Sequence, residues 1–167
     1  MIIDSHCHLT YEPISKSLDE TINRANKDGV KYLLTISTED KSYNQILDIV
    51  ESYTCVYGTY GIHPHEAKNH QDLKCKDIIK KTNISNKIIG IGETGLDYYY
   101  NYSEKKHQIN SFLEHIYAAQ QTNLPIIVHT RSAEEDTLKI LLEEKKKKDF
   151  KILIHCFTGS KKFAFDL

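Results

Sequence analysis

Two histidines near the start of the chain are spaced to bind one ion together. His6 and His8 are separated by one residue in an apolar run near the N-terminus. In a β-strand, alternation places both imidazoles on the face that Asp4 shares and turns Ser5 and Cys7 to the other face. Imidazole ligands suit Zn²⁺, Mn²⁺ and Fe²⁺. The pair therefore predicts a metal site at the end of a first strand.

Three further polar residues each close an apolar run. Glu93 ends Ile-Gly-Ile-Gly-Glu, His129 ends Ile-Ile-Val-His, and His155 ends Ile-Leu-Ile-His. A single histidine at a strand end is more often structural, but burying this many polar groups is costly unless they are paired or bind an ion. A carboxylate has two oxygens and can bridge two ions, Mg²⁺ included. The set predicts one shared metal centre that includes Glu93.

The elements that must position these residues alternate along the chain. Short apolar runs of strand type are followed by segments of helical period, in which apolar residues recur at i, i+3, i+4 and i+7. We expect Ser103, Ser132 and Ser160 to cap helices, the second within a capping box that also contains Glu135. The predicted strands cover 2–9, 31–37, 54–62, 87–93, 125–129 and 151–156.

The fold class follows from this alternation. A helix between successive strands implies parallel pairing in an α/β sheet. Polar residues gathered at the carboxyl ends favour a TIM-type (β/α) barrel over an open doubly wound sheet, which remains the alternative. A barrel has eight strands and about 250 residues. The sequence thus predicts a single domain over 1–167 that is an incomplete barrel of about six strand–helix units.

Composition narrows the function classes. The formal net charge of −1 provides no basic surface of the kind that drives non-specific nucleic-acid binding. No apolar run is long enough for a membrane span, and the N-terminus does not resemble a signal peptide. The four cysteines have no CxxC spacing, which predicts reduced thiols and a cytoplasmic location. We count Cys7 and Cys156 as packing residues, and no obligate protein partner is evident.

Five segments taken together resemble the TatD family of metal-dependent deoxyribonucleases. An HxH pair alone is weak evidence, but the matching segments follow in order over the whole chain. They are 4–9, 61–67, 90–99, 129–131 and 155–160.

The resemblance implies a TIM-barrel phosphodiesterase that acts on DNA, often as an exonuclease, with two divalent ions (Mg²⁺, Mn²⁺ or Zn²⁺). It implies that His6 and His8 bind one ion, that His129 and His155 bind the other, and that Glu93 bridges both. The family also has an aspartate ligand at the end of the eighth strand, for which this sequence has no counterpart. We therefore expect a damaged first ion site and outer strands without partners, through which the chain could oligomerise.

Substrate contacts are expected near the same strand ends. Arg131 lies two residues beyond His129 and is placed to hold a phosphate, although a surface salt bridge is the alternative. His63 ends the third predicted strand and is a candidate for touching substrate, and His65 is a weaker one. Asp97, Tyr98 and Tyr99 are expected to line the mouth of the site without taking part in the chemistry.

Two other functions remain open. Barrels with an N-terminal HxH pair include amidohydrolases that cleave cyclic amides, where a carboxylated lysine bridges the metals. The fourth strand here supplies Glu93 and no lysine, which favours the nuclease-like class. The second alternative is a shortened, catalytically impaired protein that binds metal weakly.

Overall fold

The computed structural model describes residues 1–100 and 102–167. Its six strands form one sheet in which every neighbouring pair is parallel and the spatial order equals the chain order. The α/β class with parallel pairing is therefore confirmed. The strands are β1 (Ile2–Cys7), β2 (Val30–Thr35), β3 (Val56–Tyr60), β4 (Ile88–Asp97), β5 (Ile126–Arg131) and β6 (Ile152–Ile154).

A helix follows each strand and covers one face of the sheet. Leu33, Val56 and Ile88 of three neighbouring strands are buried in a single core with Ile46 and Val50 of the second helix. None of the helices in the described residues is long and apolar enough to cross a membrane. The helices are α1 (Leu18–Lys27), α2 (Tyr43–Ser52), α3 (Cys75–Thr82), α4 (Lys105–Thr122), α5 (Glu134–Lys147) and α6 (Lys161–Asp166).

The other face of the sheet, here called the inner face, is curled and open. The ring of His6 on β1 lies 3.4 Å from the ring of His155, just beyond β6, although β1 and β6 are not neighbours in the sheet. Lower on this face, Ile3, Tyr32 and Ile89 border one apolar cavity and are each at least 40% exposed. The sheet thus forms part of a barrel wall whose inner surface is accessible.

The side chains of β1 do not alternate strictly between the two faces of the sheet. The pairing of β1 with β2 shifts register between Asp4 and Cys7. As a result Ser5 lines the inner cavity beside Ile3, whereas Cys7 packs against the helix-covered core. The expectation that Ser5 and Cys7 share a face is therefore wrong. Cys7 is a packing residue as predicted, but Cys156 is exposed and is not.

Two of the three predicted serine caps are wrong. Ser103 donates its hydroxyl hydrogen to the carbonyl of His65, and helix α4 begins without a side-chain cap. Ser132 has a φ of +51°, so the capping box does not form, and α5 begins at Glu134. Ser160 does cap α6, because its hydroxyl accepts a hydrogen bond from the amide of Phe163.

Strand β4 is longer than predicted and continues four residues past Glu93. Gly92 and Gly95 lie inside it with φ of +136° and +134°. A side chain at either position would collide with β5: a Cβ would lie 2.5 Å from the carbonyl oxygen of Ile127 or 2.1 Å from that of His129. Glycine therefore permits close approach of β4 and β5 at the point where both deliver polar side chains.

Candidate metal centre

A cleft of about 500 Å³ opens at the carboxyl ends of the strands. This is the end at which barrel enzymes hold their active sites. The cleft brings together side chains from β4, β5 and the segments that follow β1, β2, β3 and β6. Its histidine and carboxylate lining includes His8, His63, His65, Glu93, His129 and His155.

Glu93 lies at the centre and is 3% exposed. Its carboxylate oxygens are 2.9 Å from Nδ1 of His129, 3.3 Å from Nε2 of His6 and 3.8 Å from Nε2 of His63. Burial opposes its ionisation, but the hydrogen bond from His129 and the nearby imidazole of His6 outweigh burial and hold the pKa of Glu93 below its usual range. Glu93 is therefore a buried carboxylate ringed by imidazoles from three separate segments.

The first possible ion site consists of His6, His8 and Glu93. One ligand atom from each lies within 4.8 Å of the others. Among the described residues, Nδ1 and Nε2 of His6 and Nδ1 of His8 are buried without a hydrogen-bond partner. Leaving a buried polar atom unpaired costs about 1–3 kcal/mol, and a bound cation removes that cost. The unpaired nitrogens therefore fit a metal ion.

The second possible ion site consists of His63, Glu93 and His129, again within 4.8 Å. His63 precedes a short 3-10 helix over Pro64–Asn69, and its Nδ1 accepts the amide hydrogen of His65, which leaves Nε2 directed at Glu93. Burial lowers the pKa of His63 to about 3, so its imidazole is neutral. Because Nδ1 accepts a hydrogen bond, Nε2 carries the proton, and binding an ion through Nε2 would require the other tautomer. His63, predicted as a substrate contact, thus lies among the possible ligands.

His155 lies in the cleft but apart from the second group. Its ring stacks on that of His6, with the two ring planes 10° apart. The resemblance predicts His155 as the partner of His129, but the group that contains Glu93 and His129 has His63 as its third member. Burial lowers the pKa of His155, so it is also neutral near pH 7. The structure brings His6, His8, Glu93 and His129 together as the sequence predicts, with His155 beside the first group.

Asp97, predicted only to line the mouth, is a buried carboxylate that connects two histidines. It is 1% exposed, and its Oδ2 lies 3.0 Å from Nε2 of His129 and 2.9 Å from Nε2 of His65. Burial opposes its ionisation, but backbone and histidine hydrogen bonds lower the pKa of Asp97. The two carboxylates that flank His129 outweigh burial and raise the pKa of His129. The sequence carries a signal for this role, because Asp97 lies on the face of Glu93 if the strand continues.

Arg131 is exposed at the end of β5 and stacks on aromatic rings. Its guanidinium carbon lies 4.1 Å from the ring centre of Tyr99 and 4.8 Å from that of Tyr100. No carboxylate of the described residues forms an ion pair with it, so the surface salt bridge considered above is not found there. Arg131 therefore retains its hydrogen-bonding edge for another partner.

Comparison with known proteins gives a consistent result. The family model described as TatD related DNase matches residues 3–167. "Uncharacterized metal-dependent hydrolase BU355" of Buchnera aphidicola is 38% identical over 95% of this chain and 62% of its own length. "3'-5' ssDNA/RNA exonuclease TatD" of Shigella flexneri is 30% identical over 96% of this chain and 61% of its own length.

A solved structure confirms the barrel-type fold. The crystal structure of YJJV, a TatD homologue from Escherichia coli, superposes with a TM-score of 0.89 at 25% identity, covering 99% of this chain and 63% of that one. The chain spans about three fifths of the length of the curated relatives it matches.

Proposed function

This chain belongs to the family of TatD-related DNases, and from that premise we propose that it hydrolyses phosphodiester bonds in DNA with two divalent cations. The observation that carries the proposal is the sharing of Glu93 between two groups of possible ligands, one with His6 and His8 and one with His63 and His129. A shared carboxylate suits a two-ion centre, since each oxygen can face one ion.

Several residues of the cleft fit such ions in charge and in protonation, whereas His129, whose pKa its two carboxylates raise, must lose a proton to bind one. Glu93 is ionised, and His8, His63 and His155 are disposed by burial to remain neutral, which is the form that binds metal. When bound, two cations supply positive charge that activates a water and stabilises the phosphate oxygens as a P–O bond forms to water and the P–O bond to the sugar breaks. We propose His155 as a further ligand on the side of His6.

The protein itself would orient the ligands and the substrate. Asp97 holds the ring of His129 from the side opposite Glu93, as a carboxylate behind a metal-bound histidine does. We propose that Arg131 binds a substrate phosphate through its exposed edge. DNA as the substrate, and attack from a strand end, are supported by the name of the Shigella relative.

The test counts ions and follows DNA cleavage in one set of proteins. We expect the wild type to bind two Mn²⁺ per chain by calorimetry and to cut end-labelled single-stranded DNA only with metal. Glu93→Gln should bind fewer ions and lower the cleavage rate by at least about 100-fold, because both groups lose their shared carboxylate. Glu144→Gln is the matched control, since Glu144 is equally buried at 4% exposure and lies outside the cleft.

Two results would contradict the proposal. One is a wild-type stoichiometry of zero. The other is a Glu93→Gln protein that binds and cuts like the wild type while remaining folded by circular dichroism.

A further inference from the structure

Three tyrosines form an exposed cluster beside the cleft, outside both groups of possible ligands. Tyr99, Tyr100 and Tyr102 follow β4 and are 61%, 38% and 56% exposed. The rings of Tyr100 and Tyr102 are stacked, with centres 5.5 Å apart and planes 14° apart, and the ring of Tyr99 meets Tyr100 edge-on at 4.8 Å. Arg131 packs over Tyr99 and Tyr100. We call these four side chains the tyrosine platform.

The backbone beneath the platform is fixed to the metal centre. Oδ1 of Asp97 accepts hydrogen bonds from the amides of Tyr99 and Tyr100, while its Oδ2 contacts His129 and His65. One carboxylate therefore positions the platform and a possible ligand together.

A buried glutamine holds the other end of the same loop. Gln108 is 1% exposed; it accepts the amide hydrogen of Asp97 and donates to the carbonyls of Asp97 and Ser103. Because hydrogen bonds with Asp97 and Gln108 already fix the backbone that carries these exposed rings, a ligand that contacts them would lose little entropy in ordering them. Tyr98, by contrast, is half-buried, donates its hydroxyl to Asp136 and has no part in the platform.

The ring of His65 links the platform to the metal centre. It is 6.4 Å from the ring of His129 and 4.8 Å from that of Tyr102. The tyrosines are thus near enough to contact a nucleotide that neighbours a phosphate at the possible ions.

Charge indicates how such a strand would be held. The chain has a net charge of −1, and the lysine of the cleft, Lys41, is paired with Glu39. Binding by release of counterions needs several basic side chains, with a salt dependence of about 0.7 per phosphate on a single strand. Aromatic rings bind bases without that charge, because every base has a π-face.

We propose that Tyr99 and Tyr102, supported by Tyr100 and Arg131, form a stacking surface for unpaired nucleobases next to the phosphodiester that is cut. The proposal rests on the proposed function and names the form of its substrate: a single strand, or a frayed end, whose bases are free to leave the duplex. The recognised chemistry is the base itself, common to DNA and RNA.

The experiment measures stacking directly. Protein loaded with Mn²⁺ is titrated with an eight-nucleotide thymidine strand that carries terminal 2-aminopurine and phosphorothioate linkages, which resist cleavage. We expect binding to quench the 2-aminopurine fluorescence. Tyr99→Ala and Tyr102→Ala should each weaken binding by roughly 5- to 150-fold, the range for losing one stacked base, and Tyr99→Phe should restore it.

Controls separate stacking from phosphate binding and from general damage. Tyr32→Ala removes a tyrosine of similar exposure, 43%, from the inner face of the sheet and should bind like the wild type. A strand with abasic sites at its terminal positions should bind the wild type and Tyr99→Ala equally. A uridine strand of the same length shows whether DNA or RNA is preferred.

The outcomes distinguish this inference from the proposed function. Wild-type affinity and quenching in both alanine variants, or equal affinity of the wild type for abasic and normal strands, would overturn the stacking surface even if DNA is cut. A wild type that binds no strand would overturn it as well. Quenching that depends on the tyrosines in a protein that takes up no Mn²⁺ and cuts no DNA would support the surface and reject the proposed function.

Discussion

The two groups of possible ligands share Glu93 but are organised in different ways. His129 lies between two carboxylates, with Nδ1 on Glu93 and Nε2 on Asp97. The nitrogens of His6 and Nδ1 of His8 have no hydrogen-bond partner among the described residues, and those rings rest on His155 and Tyr11. The half around His129, here called the self-arranged half, is thus held by the protein's own hydrogen bonds, whereas the half around His6 and His8 is not.

The largest expected effect is the loss of stability when His129, the histidine of the self-arranged half, is removed in metal-free protein. His129→Ala leaves the buried carboxylates of Glu93 and Asp97 facing each other without their shared partner. We expect it to lower the free energy of unfolding by about 3 kcal/mol, measured by urea denaturation in EDTA. His8→Ala, the matched change in the other half, should cost about 1 kcal/mol. Equal losses would remove the distinction between the two halves.

The second effect is the stabilisation by metal, which His8→Ala should reduce. At a concentration 100 times its dissociation constant, an ion that binds only the folded chain stabilises it by about 2.7 kcal/mol. Because His8→Ala deletes a ligand, a tenfold weaker site would cost about 1.4 kcal/mol of that gain. The thermal midpoint with and without Mn²⁺ measures it. A full metal-induced shift in His8→Ala would show that the β1 half binds no ion.

The third effect, of similar size, is the loss of stability in acid, again in metal-free protein. Burial lowers the pKa of His63 from its usual 6.5 to about 3, so the folded state resists its protonation and loses stability as the pH falls below 6.5. The raised pKa of His129 acts with the opposite sign: its contribution is present below the unfolded value and is lost as the pH rises through the folded one. His63→Phe should therefore reduce the loss of unfolding free energy between pH 7 and pH 5 by about 1–2 kcal/mol. An unchanged or larger loss in urea titrations at both pH values would show that His63 is not buried as a neutral ring.

The self-arranged half is also the harder one to predict from sequence. The pattern places His6, His8, His129 and Glu93 correctly because an apolar run that ends in a polar residue marks the end of a parallel strand. The pattern does not predict the contacts of Asp97 with His129 and His65, because Gly95 suggests that β4 stops at Glu93. The glycine instead lets the strand continue against β5, and continuation puts Asp97 on the face of Glu93.

Contacts between distant segments explain the remaining differences. The local sequence around Ser103 fits a helix cap, but its hydroxyl donates to the carbonyl of His65, which lies 38 residues away. The stacking of His155 on His6 depends on the curl of the whole sheet, which no local pattern encodes. Side-chain alternation does not predict β1 correctly because a register shift is a property of the strand pair and not of either strand alone.

The double attachment of Asp97 has a consequence for redesigning this protein. Loops after barrel strands are the usual places to exchange when a new substrate is sought, because the scaffold tolerates their replacement. Here the loop after β4 is joined through one carboxylate to the imidazole of His129. A grafted loop that does not offer two amide hydrogens to Asp97 would release that carboxylate and disturb His129 behind it. Selectivity would then be easier to alter by single ring substitutions at Tyr99 or Tyr102 than by loop exchange.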